Sequence, residues 1–462
     1  MLNPSREDAR PVKNIDDLLE VFHAAEKPEA RFLLGTEAEK FGVHRESYAP
    51  LAYEGEHGVA RILNALTALG WQPEAETEGG PVIALRREEA SITLEPGAQL
   101  ELSGAALPDV HGTALEISGH LRELAQISSE MKLVWLSVGF HPLARQLELP
   151  WVPKQRYAIM REYLPPLGHA ALDMMRRTAT VQVNLDFSSE EDAIRKLTVG
   201  LKLAPLIHAM LANSPFRELR AGGPKSLRGQ VWLNMDRSRS GLVERVLNAP
   251  RPSYKDYIEW ALDAGMFLLK RGERVLANTG QTFRDFLLNG YSGEHATVAD
   301  FKLHLNTLFP EMRLKNTLEL RSVDALPARL MTVVPALGAG LFYESRALAE
   351  AEALARSIGV SELAFARKDL VEQGLGARVG TRWARDLASK ILEIAHGGLS
   401  RRKRLDAQGQ DETIYLREVT ELASRGLCPA DLLRMGLEGS GPYPAATLIE
   451  RTRIDAAAPQ VL

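Results

Sequence analysis

The stretch RTATVQVNLDF, residues 177–187, decides how this chain folds. Its even positions are Thr178, Thr180, Gln182, Asn184 and Asp186, and its odd positions are Ala179, Val181, Val183, Leu185 and Phe187. Alternation with period two describes a β-strand with one apolar and one polar face. Three other segments share this parity. In GTEAEKFG (35–42), Glu37 and Glu39 point one way and Ala38 the other. In SITLEPGAQLELS (91–103), Thr93, Glu95, Gln99, Glu101 and Ser103 oppose Ile92, Leu94, Leu100 and Leu102. Pro96-Gly97 reads there as a bulge or kink that leans Glu95 and Glu101 toward a common point. In RLKNTLELR (313–321), Arg313, Lys315, Thr317, Glu319 and Arg321 oppose Leu314, Leu318 and Leu320.

Taken singly, each segment fits a half-exposed antiparallel strand whose polar face meets water. Taken together they fit something else. Glutamates recur on two of the faces without basic neighbours, and amides with short hydroxyls fill a third. If the four faces line one concave sheet, Glu37, Glu39, Glu95, Glu101 and Glu319 converge. Two like charges ~4 Å apart cost about 4 kcal/mol at an effective dielectric of 20, so such a cluster calls for cations. Carboxylate and amide oxygens, with no Cys or His on these faces, suit magnesium, or manganese, better than zinc. Arg313, Lys315 and Arg321 beside Glu319 add the chemistry that holds an anionic substrate or a nucleotide phosphate.

The rest of the chain narrows the field. It has 462 residues, Lys+Arg 56 against Asp+Glu 60 and a formal charge of −4, which gives no footprint for nucleic acid or an anionic membrane. Asp and Glu fall within the first twenty residues and no window approaches ~18 apolar residues, so a cytoplasmic protein is expected. The single cysteine, Cys428, excludes an intrachain disulfide and a thiolate cluster, and is a weak nucleophile candidate. Helices are predicted from Ser188 and Glu191, at capping-box spacing, through Leu211; through TRWARDLASKILEIAHGG, stopped by Gly397-Gly398; and through ETIYLREVTELASRG. The basic run Arg401–Arg404 reads as a solvated connector. The loop RAGGPKSLRG, with Lys225, reads either as a surface loop or as a cover over phosphates. The class is α+β: an N-terminal helical extension (1–30), a sheet-containing core (31–325) and a mainly helical portion (326–445), in a single domain over 1–462.

GTEAEKFG, TLEPGAQLELSG, LDMMRRTATVQVNLDFSSEED, ANSPF and FPEMRLKNTLELR, in this order, closely resemble the plant and proteobacterial type of glutamate–cysteine ligase. The likeness runs from about residue 31 to 440. It implies a curved antiparallel bowl of the glutamine-synthetase type surrounded by helices. It also implies an ATP- and magnesium-dependent ligase that phosphorylates the γ-carboxylate of L-glutamate and transfers the acyl group to an amine, normally that of L-cysteine, as the first step toward glutathione. Position by position, the resemblance implies Glu37, Glu39, Glu95, Glu101 and Glu319 as magnesium ligands, with Gln182 and Asn184 beside them. Arg321 and Arg228 would hold glutamate and the transferring phosphoryl group, assisted by Arg313 and Lys315. Trp232 and Asn234 would lie on the acceptor side. A monomer or homodimer is expected.

The chain departs from the family at three places. W-T-D-T-D is Trp232-Leu233-Asn234-Met235-Asp236, P-M-Y is Gly265-Met266-Phe267, and Y-L-E-M-R-G-A-D is Thr317-Leu318-Glu319-Leu320-Arg321-Ser322-Val323-Asp324. These changes spare the metal and glutamate residues and fall on the acceptor side, so an acceptor other than cysteine is the alternative. A non-catalytic glutamate- or nucleotide-binding relative, and a glycosidase with paired carboxylates, are the readings from other classes.

Overall fold

The computed structural model describes residues 8–272 and 274–455. Its centre is a nine-stranded sheet. In chain order the strands are β1 (Leu34–His44), β2 (Gln72–Ala75), β3 (Val82–Arg87), β4 (Ala90–Leu94), β5 (Leu100–Ser103), β6 (Leu133–Leu136), β7 (Val181–Leu185), β8 (Met312–Leu314) and β9 (Leu318–Leu320). They lie in the order β8-β9-β7-β1-β5-β4-β3-β2, with β6 on the far half of β1, and every pairing is antiparallel. The four segments of matched parity are therefore neighbours, and their polar faces form one continuous surface.

Two of those segments are not single strands. Leu94 pairs with Leu100 and Thr93 with Glu101, so Pro96-Gly97 belongs to the turn of a hairpin and not to a kinked strand. The chain reverses through Ala98, whose φ of +65° is rare for a residue with a side chain. RLKNTLELR is likewise a hairpin, with Arg313 opposite Glu319 and the turn closed from the Lys315 N–H to the Thr317 carbonyl at 2.8 Å.

The apolar face is covered by helices. They include α1 (Val110–Glu130), α2 (Glu190–Met210), α4 (Val333–Phe342) and α5 (Ala384–Arg402); a short α3 (Leu227–Trp232) belongs to the other face. α2 starts one residue later than the spacing predicts. Ser189 is the cap and accepts from the Asp192 N–H at 3.2 Å, while the Ser188 N–H donates to the Asp192 carboxylate at 2.9 Å. α4 lies close behind β7 because Gly338 has no side chain: a Cβ there would come within 3.0 Å of Val183 Cγ1.

α5 does not stop at Gly397-Gly398 but runs through both. A Cβ on Gly398 would sit 1.9 Å from the Gly340 carbonyl oxygen, so this glycine serves a backbone-to-backbone approach of α4 and α5, not a helix end. Nor is Arg401–Arg404 wholly a solvated connector. Arg401 and Arg402 are helical, and Arg402 Nε donates to the fully buried Glu412 at 2.9 Å. One apolar cluster runs from Val12 to Ala423. Among the described residues no helix is long and apolar enough to cross a membrane.

Candidate active site

The polar face is assembled by register. Glu37 sits between Gln182 on β7 and Ser103 on β5, Glu39 faces Glu101, Glu101 faces Thr93, and Glu319 lies between Asn184 and Arg313. Helices and loops cover this face, so the carboxylates are not a wet surface: Glu39, Glu101 and Glu319 are 8%, 7% and 0% exposed. Ala38 and Lys40 occupy the opposite side, as parity requires, both buried. Lys40 Nζ donates there to the Ala38 carbonyl at 2.9 Å, and burial lowers its pKa to about 7.

Both oxygens of Glu37 are held, by Gln182 Nε2 and Asn184 Nδ2, each at 2.9 Å. Glu39 accepts the Thr180 backbone N–H at 3.1 Å. Glu101 accepts the hydroxyls of Ser103 (2.6 Å) and Thr93 (3.1 Å). None of these partners carries charge. Burial, then the Glu319 and Glu101 charges, raises Glu37 to about 7. Burial, then Glu95 and Glu101, pushes Glu39 well above the usual carboxylate range, and burial with Glu95 raises Glu101.

Glu319 behaves in the opposite way. Burial alone would raise it, but it receives a two-point contact from Arg313 (2.7 and 3.0 Å), Arg321 Nη1 at 2.6 Å, and Lys315 Nζ at 3.7 Å. Together these hold its carboxyl well below the ordinary value.

Arg228 is set by a buried carboxylate below the face. Asp324 accepts the hydroxyls of Ser226 (2.9 Å) and Ser214 (2.6 Å). Ser226 caps α3 through the Gly229 N–H, and Ser214 accepts the Arg228 N–H. The Arg228 guanidinium then donates to the carbonyls of Ser322 (2.7 Å) and Arg321 (2.8 Å). A narrow cleft opens at this end, lined by Arg228, Trp232, Phe309, Glu311, Arg321 and Arg367 among others. Trp232 packs against Phe309, with ring centroids 5.7 Å apart, and its buried Nε1–H has no partner. An ion pair between Arg367 and Glu311 closes the far side.

Not every anticipated residue meets the others. Asn234 donates to the Gln230 carbonyl at 2.7 Å and makes no contact with the carboxylates. Asp236, two residues on, is tied to the buried Arg239 at 2.9 Å. Gly265 leaves room for Tyr163, whose hydroxyl would stand 2.2 Å from a Cβ there. Lys225 pairs with Asp431 at 2.8 Å, which ties the glycine loop down in place of leaving the lysine over phosphates. Cys428 is buried and its thiol is pushed up to about 12, which suits no nucleophile. Sequence reasoning missed Glu311 and Arg367, which carry no periodic signal, and the buried Asp324.

Among the described residues no three Asp, Glu, His or Cys side chains already close around one point as an ion site. The donor chemistry nevertheless fits a hard cation at the Glu37, Glu39, Glu95 and Glu101 end, where the buried Glu39 and Glu101 and the half-buried Glu37 and Glu95 repel one another and Gln182 Oε1 is buried without a partner. It fits less directly at Glu319, whose oxygens are taken by arginines.

The family model described as glutamate-cysteine ligase family 2 matches residues 33–445. Glutamate–cysteine ligase B, chloroplastic, of Oryza sativa subsp. japonica is 38% identical over 422 residues, 90% of this chain and 83% of the rice protein. Glutamate–cysteine ligase, chloroplastic, of Arabidopsis thaliana is 37% identical over 421 residues, 90% of this chain and 78% of its own. The crystal structure of glutamate–cysteine ligase from Francisella tularensis in complex with AMP aligns with a TM-score of 0.52 and 10% identity, over 91% of this chain and 87% of that one; it speaks to the fold alone. Since the matched span takes in every strand of the polar face, from Leu34 to Leu320, the chain belongs to glutamate–cysteine ligase family 2.

Proposed function

We propose that the protein is an ATP-dependent ligase that joins the γ-carboxylate of L-glutamate to the amine of L-cysteine, working as a single catalytic domain in the cytoplasm. The observation that carries this is the division of one face into an end whose glutamates accept hydrogen bonds from uncharged groups and an end whose glutamate is ion-paired to arginines. Phosphoryl transfer to a carboxylate brings two anions together, and its catalysis is mainly positioning and charge stabilisation. Magnesium, held by Glu39, Glu95 and Glu101 with Glu37 beside them, would neutralise phosphate charge there. Arg321 and Arg228 would orient the glutamate carboxylate, with Arg313 and Lys315 fixing the field around them. Glu319 would set the arginines in place, and would act as a metal ligand only by giving up one of them. The unpartnered Trp232 indole N–H would meet the acceptor in the cleft.

The test is phosphate release by the purified protein with magnesium, ATP and glutamate, across a panel of amine acceptors. Cysteine-dependent turnover supports the proposal. Turnover with another amine alone keeps the ligase class and replaces the acceptor. No phosphate release with any acceptor overturns the proposal.

A further inference from the structure

The carboxylate end has cations of its own, in a segment with no periodic signal. Between Trp151 and Tyr157 the chain is stitched to the β4–β5 turn that carries Glu95. The Val152 N–H donates to the Pro96 carbonyl at 3.0 Å, and Lys154 Nζ and the Tyr157 hydroxyl donate to the Leu94 carbonyl at 2.7 and 2.8 Å. Arg156 lies over the Tyr157 ring, 4.9 Å from its centroid, and gives one N–H to the Tyr157 hydroxyl at 3.0 Å. Its Nε is buried and has no partner. Lys154 and Arg156 both lie in the field of Glu95 and Glu101, yet among the described residues neither forms an ion pair with a carboxylate. They are held in place by uncharged groups, with donor capacity left over.

We propose that Lys154 and Arg156 bind the β- and γ-phosphates of the nucleotide. This rests on the ligase reading above and deepens it. Of the two anionic reactants, glutamate has Arg321 and Arg228 at the other end. A hard divalent cation held by Glu95 and Glu101 would supply charge that favours substrate phosphate at this end. There a lysine serves as a point charge and an arginine as a planar two-point donor. The stack on Tyr157 presets the arginine plane, so little freedom is lost when phosphate arrives.

Calorimetric titration of the full chain, with magnesium present, against a non-hydrolysable ATP analogue, AMP and glutamate tests the assignment without turnover. Arg156→Gln and Lys154→Gln are each expected to weaken the analogue about tenfold or more, the scale of a charge-assisted hydrogen bond, while AMP and glutamate affinities change by less than about threefold. Arg156→Lys, which keeps the charge and loses the fork, should fall between. Equal losses for AMP and the analogue would assign these side chains to packing of the segment. A loss for glutamate in place of nucleotide would assign them to the other reactant. Either result, or undiminished analogue binding, overturns the proposal. Wild-type protein that binds neither nucleotide nor glutamate overturns the ligase reading as well.

Discussion

Glu319 and Glu39 share one face of one sheet, are both buried, and are shifted from the ordinary carboxylate range in opposite directions. Glu319 has two arginines and a lysine on its oxygens, and its acidity is enhanced; Glu39 has a backbone N–H and other glutamates, and its acidity is suppressed. The difference is one of partners, not of depth. Burial penalises both equally in kind, so whatever compensates it decides what each carboxylate can do. At one end the compensation is built from the chain itself. At the other the carboxylate oxygens have uncharged donors, and under the proposed function a bound cation would complete the compensation.

Breaking the first arrangement should have the largest effect. Glu319→Gln leaves Arg313, Arg321 and Lys315 facing one another in a buried site, and is expected to cost about 3–5 kcal/mol in denaturant unfolding. Retention of wild-type stability would show that water or an anion already compensates them. Glu39→Gln should do the reverse. In metal-free protein it relieves repulsion and leaves stability unchanged or higher, but it removes the stabilisation that magnesium confers. Under the proposed magnesium site that stabilisation would be about 2.7 kcal/mol in wild type when metal stands at a hundred times its Kd, read as a shift in thermal midpoint. An undiminished magnesium shift in the variant would remove Glu39 from the cation site.

The face behind the glutamates supplies the next test. Parity alone suggests that histidine at position 38 would change little. Ala38 is 1% exposed, however, and packed in the main core. Ala38→His should therefore cost about 1–3 kcal/mol through overpacking, measured by thermal melting, with magnesium dependence intact. Loss of magnesium dependence in a folded variant would break the two-face description.

The smallest effect is a slope with pH. Glu37 has a folded pKa of about 7 against an ordinary 4.5, so between these values the folded state holds more protons than the unfolded one. The metal-free protein should lose stability as pH rises through this window, and magnesium should flatten the decline. Glu319 contributes with the other sign: its stabilisation is complete above the ordinary range and is lost as pH falls through its depressed value. Melting curves from pH 4 to 8, for wild type and Glu37→Gln, separate the two; a variant with an unchanged slope would assign it to another group.

The faces of the sheet were legible in the sequence, but the number of strands was not, for one reason. In both hairpins the paired positions have an even sum, as in 93 with 101 and 313 with 319, so odd residues face odd residues across the turn. A kinked strand and a tight hairpin then give the same parity, and only the φ of Ala98 and the closed turn at Lys315 tell them apart. Helix ends were less legible where glycine acted in packing, as at Gly398. Lys154, Arg156 and Arg367 stayed hidden because a coil or a helix surface carries no pattern that says what lies across from it. The opposed acidities of Glu39 and Glu319 were beyond reach too, since they depend on which neighbours cross the strands.

The glycines behind the sheet have a mechanical consequence. Gly398 sets how near α5 comes to α4, and Gly338 sets how near α4 comes to Val183 and Leu185. The next residues along that strand, Gln182 and Asn184, point forward and grip both oxygens of Glu37. Helix, helix, strand and carboxylate are thus stacked in one column of close contacts. A single methyl added at the outermost glycine would press through the column, and because misplacement by about 1 Å can cost a hundredfold in rate, a residue with no chemistry of its own can detune the reaction from behind.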